Sequence, residues 1–209
     1  MTVTEIDTPR GLGRVHLHAA QGPRGALVLG HGAGGGVEAP DLVAAREAAL
    51  SERFTAALVE QPYRVAGRRS PPPAAHLDEA WNAIVDDLRL GDLNGLPLIV
   101  GGRSLGGRVA CRTVEATGAF AVLCLAFPLE PPRRGDKPPQ SRLPELDAVT
   151  VPMLVVQGER DRFGIPPSGP SREVAIVAGD HGLKADPEAV SEAVRAWLAT
   201  VVAPLAPAS

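Results

Sequence analysis

Aromatic residues are scarce in this chain of 209 residues, and its net charge is small. Phe, Trp and Tyr make up 3% of the chain, and the formal net charge is -3. Proteins that bind nucleic acid rely on basic patches and on aromatic platforms for base stacking, and this composition supplies neither. We therefore expect no nucleic acid partner.

Long apolar runs are missing as well. No stretch approaches the roughly 18 uninterrupted apolar residues that a membrane helix needs. Residues 1–11 carry acidic side chains and lack the apolar segment of a signal peptide. We therefore expect a cytoplasmic protein without a membrane partner, either a monomer or a homodimer.

Cysteine is also rare. Cys111 and Cys124 each lie inside an apolar stretch. That setting is typical of small buried hydrophobic side chains rather than of a disulfide or half of a metal site. We expect no metal ion.

What the chain does have is a series of short apolar runs between helical patterns. The first two predicted strands are joined by a connection too short for a helix, so they should pair antiparallel. Longer helical segments separate the later strands, which requires a parallel sheet covered on both faces. The predicted strands are 3–7, 14–19, 26–30, 55–60, 97–102, 121–126, 152–157 and 173–178. We predict a three-layer α/β fold in a single domain over residues 1–209, without a separate lid domain.

Helical periodicity is clearest in two segments. Residues 77–88 and 190–201 each place their apolar side chains on one face, and Asp186 and Pro187 provide an N-cap and a first helical residue for the second. A weaker pattern covers 41–52, and a fourth helix should begin directly after Ser104. Two segments rich in Pro and Arg, 64–75 and 128–144, are predicted to be surface loops.

The sequence Gly102-Arg103-Ser104-Leu105-Gly106 follows an apolar strand and precedes a predicted helix. In a G-x-S-x-G elbow the chain turns so sharply that small residues must flank the serine, whose hydroxyl then lies exposed near a helix N-terminus. Ser104 is therefore the candidate nucleophile. The alternative is an ordinary strand-to-helix turn with an N-cap serine.

The loop His31-Gly32-Ala33-Gly34-Gly35-Gly36 also follows a strand. Acyl transfer needs two backbone N–H groups that stabilise an oxyanion. We expect one from Leu105 and the other from Ala33 or Gly34. His31 is expected to support the loop rather than to act on substrate.

The same loop has a second interpretation. Gly30, Gly32 and Gly35 satisfy G-x-G-x-x-G, and Glu60 ends the next parallel strand, which is the layout of a dinucleotide-binding turn. Two strands precede the motif, however, and it leaves the later serine, aspartate and histidine unexplained. Dinucleotide binding is therefore the weaker alternative.

A base and an acid follow two later strands. His181 and Asp161 each lie just beyond a predicted parallel strand, so with Ser104 they should meet at one edge of the sheet. The chain order Ser, Asp, His is that of α/β-hydrolases. An imidazole activates the serine, and the carboxylate orients the imidazole. The histidines at strand or helix-start positions, His16, His18 and His76, are expected to have no role.

Other charged residues compete for roles at this edge. Asp180, Glu159 and Glu130 are alternative acids, with Asp161 favoured over all three. Arg103, next to the serine, is a candidate for contact with an anionic substrate. Arg64, Arg68 and Arg69 could favour such a substrate too, although solvated surface arginines are the preferred interpretation for all four.

Taken together, these motifs resemble the alpha/beta-hydrolase superfamily over nearly the whole chain. The chain is similar, more narrowly, to a small lidless family related to dienelactone-hydrolase-like proteins, whose animal members include a testis-expressed protein and a subunit of a histone-acetylation complex. The segments that carry the likeness are 31–36, 59–71, 101–110, 125–132, 157–164 and 179–184. The resemblance implies a triad of Ser104, Asp161 and His181 and no cofactor. Glu130 stands where the family pattern has a histidine, which puts substrate contacts there in doubt.

The expected function is that of a serine hydrolase. It would cleave a small-molecule substrate with an ester-like bond, a carboxylic ester or a thioester, through an acyl-enzyme. Because some members of the resembled family act as scaffolds, a non-catalytic interaction module with the hydrolase fold is the alternative from another class.

Overall fold

Eight strands form one sheet in the computed structural model, which describes residues 1–130 and 140–201. In chain order the strands are β1 (Thr2–Thr8), β2 (Gly11–His18), β3 (Gly25–Gly30), β4 (Phe54–Glu60), β5 (Leu98–Arg103), β6 (Ala121–Leu125), β7 (Met153–Gly158) and β8 (Arg172–Val177). Their order across the sheet is β1-β2-β4-β3-β5-β6-β7-β8. β2 runs antiparallel to β1 and β4, and every later pair is parallel. The predicted fold class is confirmed.

Helices cover both faces of this sheet. They are α1 (Pro40–Ser51), α2 (Pro62–Val65), α3 (Ala74–Leu90), α4 (Leu105–Thr117), α5 (Leu143–Asp147) and α6 (Pro187–Thr200). α1 and α6 bury their apolar sides in one core, while α3 and α4 bury theirs in the core on the opposite face. Because both faces are covered, the central strands are continuously apolar, as the sequence indicated.

Local sequence explains where the main helices begin and end. Asp186 caps α6 by accepting a hydrogen bond from the N–H of Ala189 (2.9 Å), and Pro187 is the first helical residue, as predicted. α4 ends at Gly118, which adopts the left-handed conformation that glycine tolerates. α1 begins at Pro40, one residue earlier than predicted, because proline suits a first helical position.

The two segments predicted to be loops are shorter than expected. Residue 64 and Val65 belong to α2, which Pro62 opens, and α3 already begins at Ala74. In the second segment, α5 begins at Leu143, and residues 131–139 lie outside the described residues. α3 and α5 begin beside Pro73 and Pro144, prolines that the sequence pattern had indicated only as loop residues.

Cys111 on α4 and Cys124 on β6 are buried and free, with their sulfur atoms 3.5 Å apart. This confirms that they are small core side chains and not a disulfide. Among the described residues, no group of three His, Cys, Asp or Glu side chains is placed to hold a metal ion. Within the same ranges, no helix has the length and apolar character that crossing a membrane would require.

Candidate active site

Ser104 lies at the tight turn between β5 and α4. Its backbone has φ 50° and ψ −103°, a conformation that a residue with a side chain rarely adopts. Its N–H donates to the carbonyl of Leu125 (2.8 Å), and its own carbonyl accepts from the N–H of Arg108 (3.2 Å). These bonds hold the strained turn between strand and helix, which is the geometry of a nucleophile elbow.

The two glycines of the elbow are required by close packing against β3. A Cβ atom on Gly102 would lie 2.4 Å from the carbonyl oxygen of Gly30, and one on Gly106 would lie 2.2 Å from the same oxygen. Real Cβ atoms do not approach backbone so closely. The G-x-S-x-G spacing therefore reflects how tightly the turn fits against its neighbour, as the sequence analysis assumed.

The structure brings the three candidate catalytic residues together in one chain of hydrogen bonds. The hydroxyl of Ser104 donates to Nε2 of His181 at 3.1 Å, and Nδ1 of His181 donates to Oδ2 of Asp161 at 2.8 Å. The aspartate side chain is fully buried, whereas the imidazole is 20% exposed. This arrangement gives the serine a proton acceptor and gives the imidazole a fixed orientation.

Asp161 is held by further donors. Its Oδ1 accepts from the N–H of Phe163 (2.9 Å), and its Oδ2 accepts from Nε2 of Gln157 (2.8 Å). The ring of Phe163 also packs edge-on against the imidazole of His181, with centroids 4.5 Å apart. Asp161 and the imidazole of His181 are therefore each held by more than one contact.

The alternative acids have other contacts. Asp180 accepts from the N–H of Gly182 (2.8 Å), the turn role that adjacency to His181 suggested. Glu159 pairs with the neighbouring Arg160, and Glu130 is an exposed residue. Geometry therefore favours Asp161 as the partner of the imidazole.

The glycine loop forms a turn around Ala33 and Gly34. The N–H of Gly35 donates to the carbonyl of Gly32 (3.2 Å), so Ala33 and Gly34 occupy the central positions of a four-residue turn. Leu105 is the first residue of α4, and its N–H has no acceptor within the helix. These are the three residues whose N–H groups the sequence analysis proposed for an oxyanion.

His31 supports this loop, as predicted. Its Nδ1 donates to the carbonyl of Gly32 (2.8 Å), and its Nε2 accepts from the N–H of Gln61 (3.1 Å). Burial lowers the pKa of His31, so the ring is neutral and can serve as both donor and acceptor. Tyr63 adds a second support, because its hydroxyl donates to the carbonyl of Ala33 (2.9 Å).

The arginines near the site differ in their surroundings. Arg68 and Arg69 are exposed, in keeping with solvated surface side chains, and Arg64 donates to the carbonyl of Arg68 (3.3 Å). Arg103 instead points inward: its Nε lies 2.9 Å from Oδ2 of Asp41, within ion-pair distance.

The dinucleotide interpretation gains no support from the geometry. In a dinucleotide-binding turn the helix begins within the glycine motif, but α1 begins only at Pro40. Glu60, which would bind a ribose, lies 2.7 Å from Nε2 of His16.

Three residues that shape the site were not predicted from the sequence: Gln157, Asp41 and Tyr63. Gln157 did carry a signal, since it is a polar residue inside the apolar strand segment MLVVQG and is fully buried there. Buried polar side chains are paired, so it had to bond something nearby. The other two had no comparable signal.

Comparison with known proteins identifies the fold family. The model of the alpha/beta hydrolase domain family matches residues 23–196. Among solved structures, Est1E from Butyrivibrio proteoclasticus is similar with a TM-score of 0.76 at 17% identity, over 95% of this chain and 98% of that one. An alpha-beta serine hydrolase homologue from Coxiella burnetii has a TM-score of 0.73 at 12% identity, over 94% and 97%.

A dienelactone hydrolase from Anabaena variabilis has a TM-score of 0.69 at 16% identity, over 95% of this chain and 94% of that one. At these identities the likeness to solved structures concerns the fold. A search of curated protein sequences finds no match. The narrower resemblance to the testis-expressed group stays a prediction. On the family match and this architecture, the chain belongs to the alpha/beta-hydrolase family.

Proposed function

We propose that this protein is a serine hydrolase that cleaves a small-molecule carboxylic ester or thioester through an acyl-enzyme. The observation that carries the proposal is the hydrogen-bonded chain from Ser104 through His181 to Asp161. Family membership and the strained elbow support it. A hydrolase-fold interaction module has no need for a proton relay at a strained serine.

In the first step, the oxygen of Ser104 attacks the carbonyl carbon of the substrate and forms a new C–O bond. The hydroxyl proton passes to Nε2 of His181, and the imidazolium that results is stabilised by the Asp161 carboxylate. The carbonyl electrons move to oxygen, and the N–H groups of Leu105 and of the loop at Ala33 or Gly34 stabilise this charge. The intermediate then collapses, and the leaving alcohol or thiol takes the proton from His181.

In the second step, water hydrolyses the acyl-enzyme. His181 removes a proton from the water as its oxygen attacks the acyl carbon, and the same N–H groups stabilise the second oxyanion. Collapse breaks the bond to Ser104, which recovers the proton from the imidazolium. The carboxylic acid product leaves, and no external cofactor enters the balance.

A cleft large enough for a small molecule lies beside the glycine loop, next to the segments that carry Ser104 and His181 but not lined by those two side chains. Its volume is about 690 Å³, and its walls include Gly34, Arg103 and Gly182. Gly34 is in the proposed oxyanion loop, and the other two residues adjoin Ser104 and His181 in sequence. Clefts of this size are ordinary for small-molecule sites.

Steady-state kinetics with a short-chain p-nitrophenyl ester test the proposal. Ser104→Ala and His181→Ala should each lower kcat by about 10⁴-fold or more, because the residues act as a unit. Asp161→Asn should be somewhat less damaging. If the wild type turns the ester over and any of these variants matches its rate, that residue does not have the role proposed. A wild type that hydrolyses no ester or thioester would favour the interaction module.

A further inference from the structure

Arg103 lines the cleft beside the glycine loop, and its side chain also makes contacts within the protein. Its guanidinium reaches across the edge of the sheet and meets three segments of chain. These are the first turn of α1, the loop that carries His181, and the start of the glycine loop. With its own backbone next to Ser104, this side chain touches every segment that builds the proposed catalytic apparatus except the turn of Asp161.

The anchor of this arginine is Asp41. The carboxylate is fully buried, and its Oδ2 forms an ion pair with Nε of Arg103 at a distance of 2.9 Å. Its Oδ1 accepts from the N–H of Leu42 (3.0 Å). Burial raises the pKa of Asp41, and the guanidinium opposes that rise. A buried carboxylate without its cation is costly, so the pair holds the guanidinium in one place.

The other ends of the guanidinium contact the catalytic loops. Nη2 donates to the backbone carbonyl of His181 at 3.1 Å. Nη1 lies 2.7 Å from where a Cβ atom on Gly32 would be, so the glycine loop packs directly on it. The ring of His181 is fixed by Asp161, and its backbone is fixed separately by Arg103.

We propose that Arg103, anchored by buried Asp41, is a positioning residue that keeps His181 and the glycine loop in register with Ser104. This inference rests on the proposed serine hydrolase function. A proton relay depends on its geometry, and a displacement of about 1 Å can lower the rate about 100-fold. Only the planar guanidinium, which has donors at several positions, can contact the Asp41 carboxylate and the His181 carbonyl at the same time, so lysine cannot replace arginine here.

Arg103→Lys tests this role against Arg112→Lys as a matched control. Arg112 lies in α4 and forms a partly buried ion pair with Asp78, outside the proposed site. Both variants should lose thermal stability, Arg103→Lys more than the control, because Asp41 is fully buried. Only Arg103→Lys should lower kcat for the p-nitrophenyl ester, by about 10- to 100-fold, with KM within about twofold of wild type.

A double-mutant cycle separates positioning from simple destabilisation. Asp41→Asn removes the anchor and should lower kcat in the same way. The two side chains act through the same ion pair. The double variant, with Arg103→Lys and Asp41→Asn, should therefore lower kcat no more than the worse single variant does.

Three results would overturn the inference. The first is Arg103→Lys with wild-type kcat and only a lower Tm, which makes the pair purely structural. The second is a raised KM at unchanged kcat, which makes Arg103 a substrate contact. The third is a double variant whose fold-loss of kcat equals the product of the two single losses, which makes the two side chains independent. A wild type without esterase activity refutes the proposed function itself, and the inference with it, whereas the first three results leave that function intact.

Discussion

Replacement of Gly106 by alanine sets two effects against each other. Gly106 is the second residue of α4, where alanine would ordinarily stabilise a helix by about 1 kcal/mol. Here the new Cβ would lie 2.2 Å from the oxygen and 2.5 Å from the carbon of the Gly30 carbonyl. Both atoms belong to the backbone of a central strand and cannot rotate away.

The size of the effect follows from that distance. Ordinary contact begins at 3.4 Å, so α4 and β3 must separate by about 1 Å. Overpacking of this kind costs about 1–3 kcal/mol or more, and with no rotamer to relieve it we expect the upper end. After the helix gain is subtracted, the net loss is about 2 kcal/mol, or a fall in Tm of about 4–8 °C for a chain of this size.

The same shift should also lower activity. Ser104 and Leu105 precede Gly106 directly, so a movement of the helix by about 1 Å carries the proposed nucleophile and one proposed oxyanion N–H away from His181. A loss of up to about 100-fold in kcat is expected.

Thermal unfolding and ester hydrolysis of Gly106→Ala measure the two effects. The control for stability is Gly36→Ala, where a Cβ would meet nothing within 4 Å and Tm should not fall. A Gly106→Ala protein with unchanged or higher Tm and full activity would refute the packing argument for the elbow.

Three further predictions use buried groups. Burial lowers the pKa of His31 below its ordinary 6.5, so the unfolded chain takes up a proton that the folded one does not; stability should fall as pH drops below about 6.5. His31→Gln removes this contribution, whereas the similar contribution of His18 remains in both proteins. The urea midpoint should therefore change less between pH 7 and pH 5 in His31→Gln than in wild type. A hydrogen bond with Cys111 and burial raise the pKa of Cys124, and both thiols are buried. Ellman's reagent should therefore react with neither thiol until the protein is denatured; fast reaction in the native state would contradict their placement. Gln157→Leu leaves buried backbone groups unpaired, so the free energy of unfolding measured in urea should fall by about 1–3 kcal/mol. The variant should also lower kcat, because the amide no longer holds Asp161; unchanged stability and kcat would show that the amide does not position this residue.

The strand directions were predictable because they depend on local signals, but the strand order was not. The short connection between β1 and β2 specifies an antiparallel pair, and long helical segments specify parallel pairs. A short connection also follows β2, yet β2 pairs with β4 rather than with β3. The candidate nucleophile, acid and base follow from the same logic, since each comes after a strand whose carboxyl end lies at one edge. Ser104, Asp161 and His181 meet there, 3.1 Å and 2.8 Å apart along the chain of bonds.

Contacts between residues distant in sequence could not be predicted. Arg103 looked like a substrate contact because it adjoins the nucleophile, and nothing in the sequence pairs it with Asp41, 62 positions earlier. The direction of a long side chain depends on which buried charge lies within its reach, and that is known only once the helices pack. The early start of α3 likewise depends on tertiary packing, since proline at a helix boundary is compatible with either state.

The most direct test of the central claim is covalent labelling of the native protein with a fluorophosphonate, followed by mass spectrometry of its peptides. Attack by an activated serine expels fluoride and leaves a stable phosphonyl ester on that oxygen. We predict a single adduct on Ser104, lost in His181→Ala. An unlabelled wild-type protein, or an adduct on another residue with Ser104 unmodified, would contradict the account.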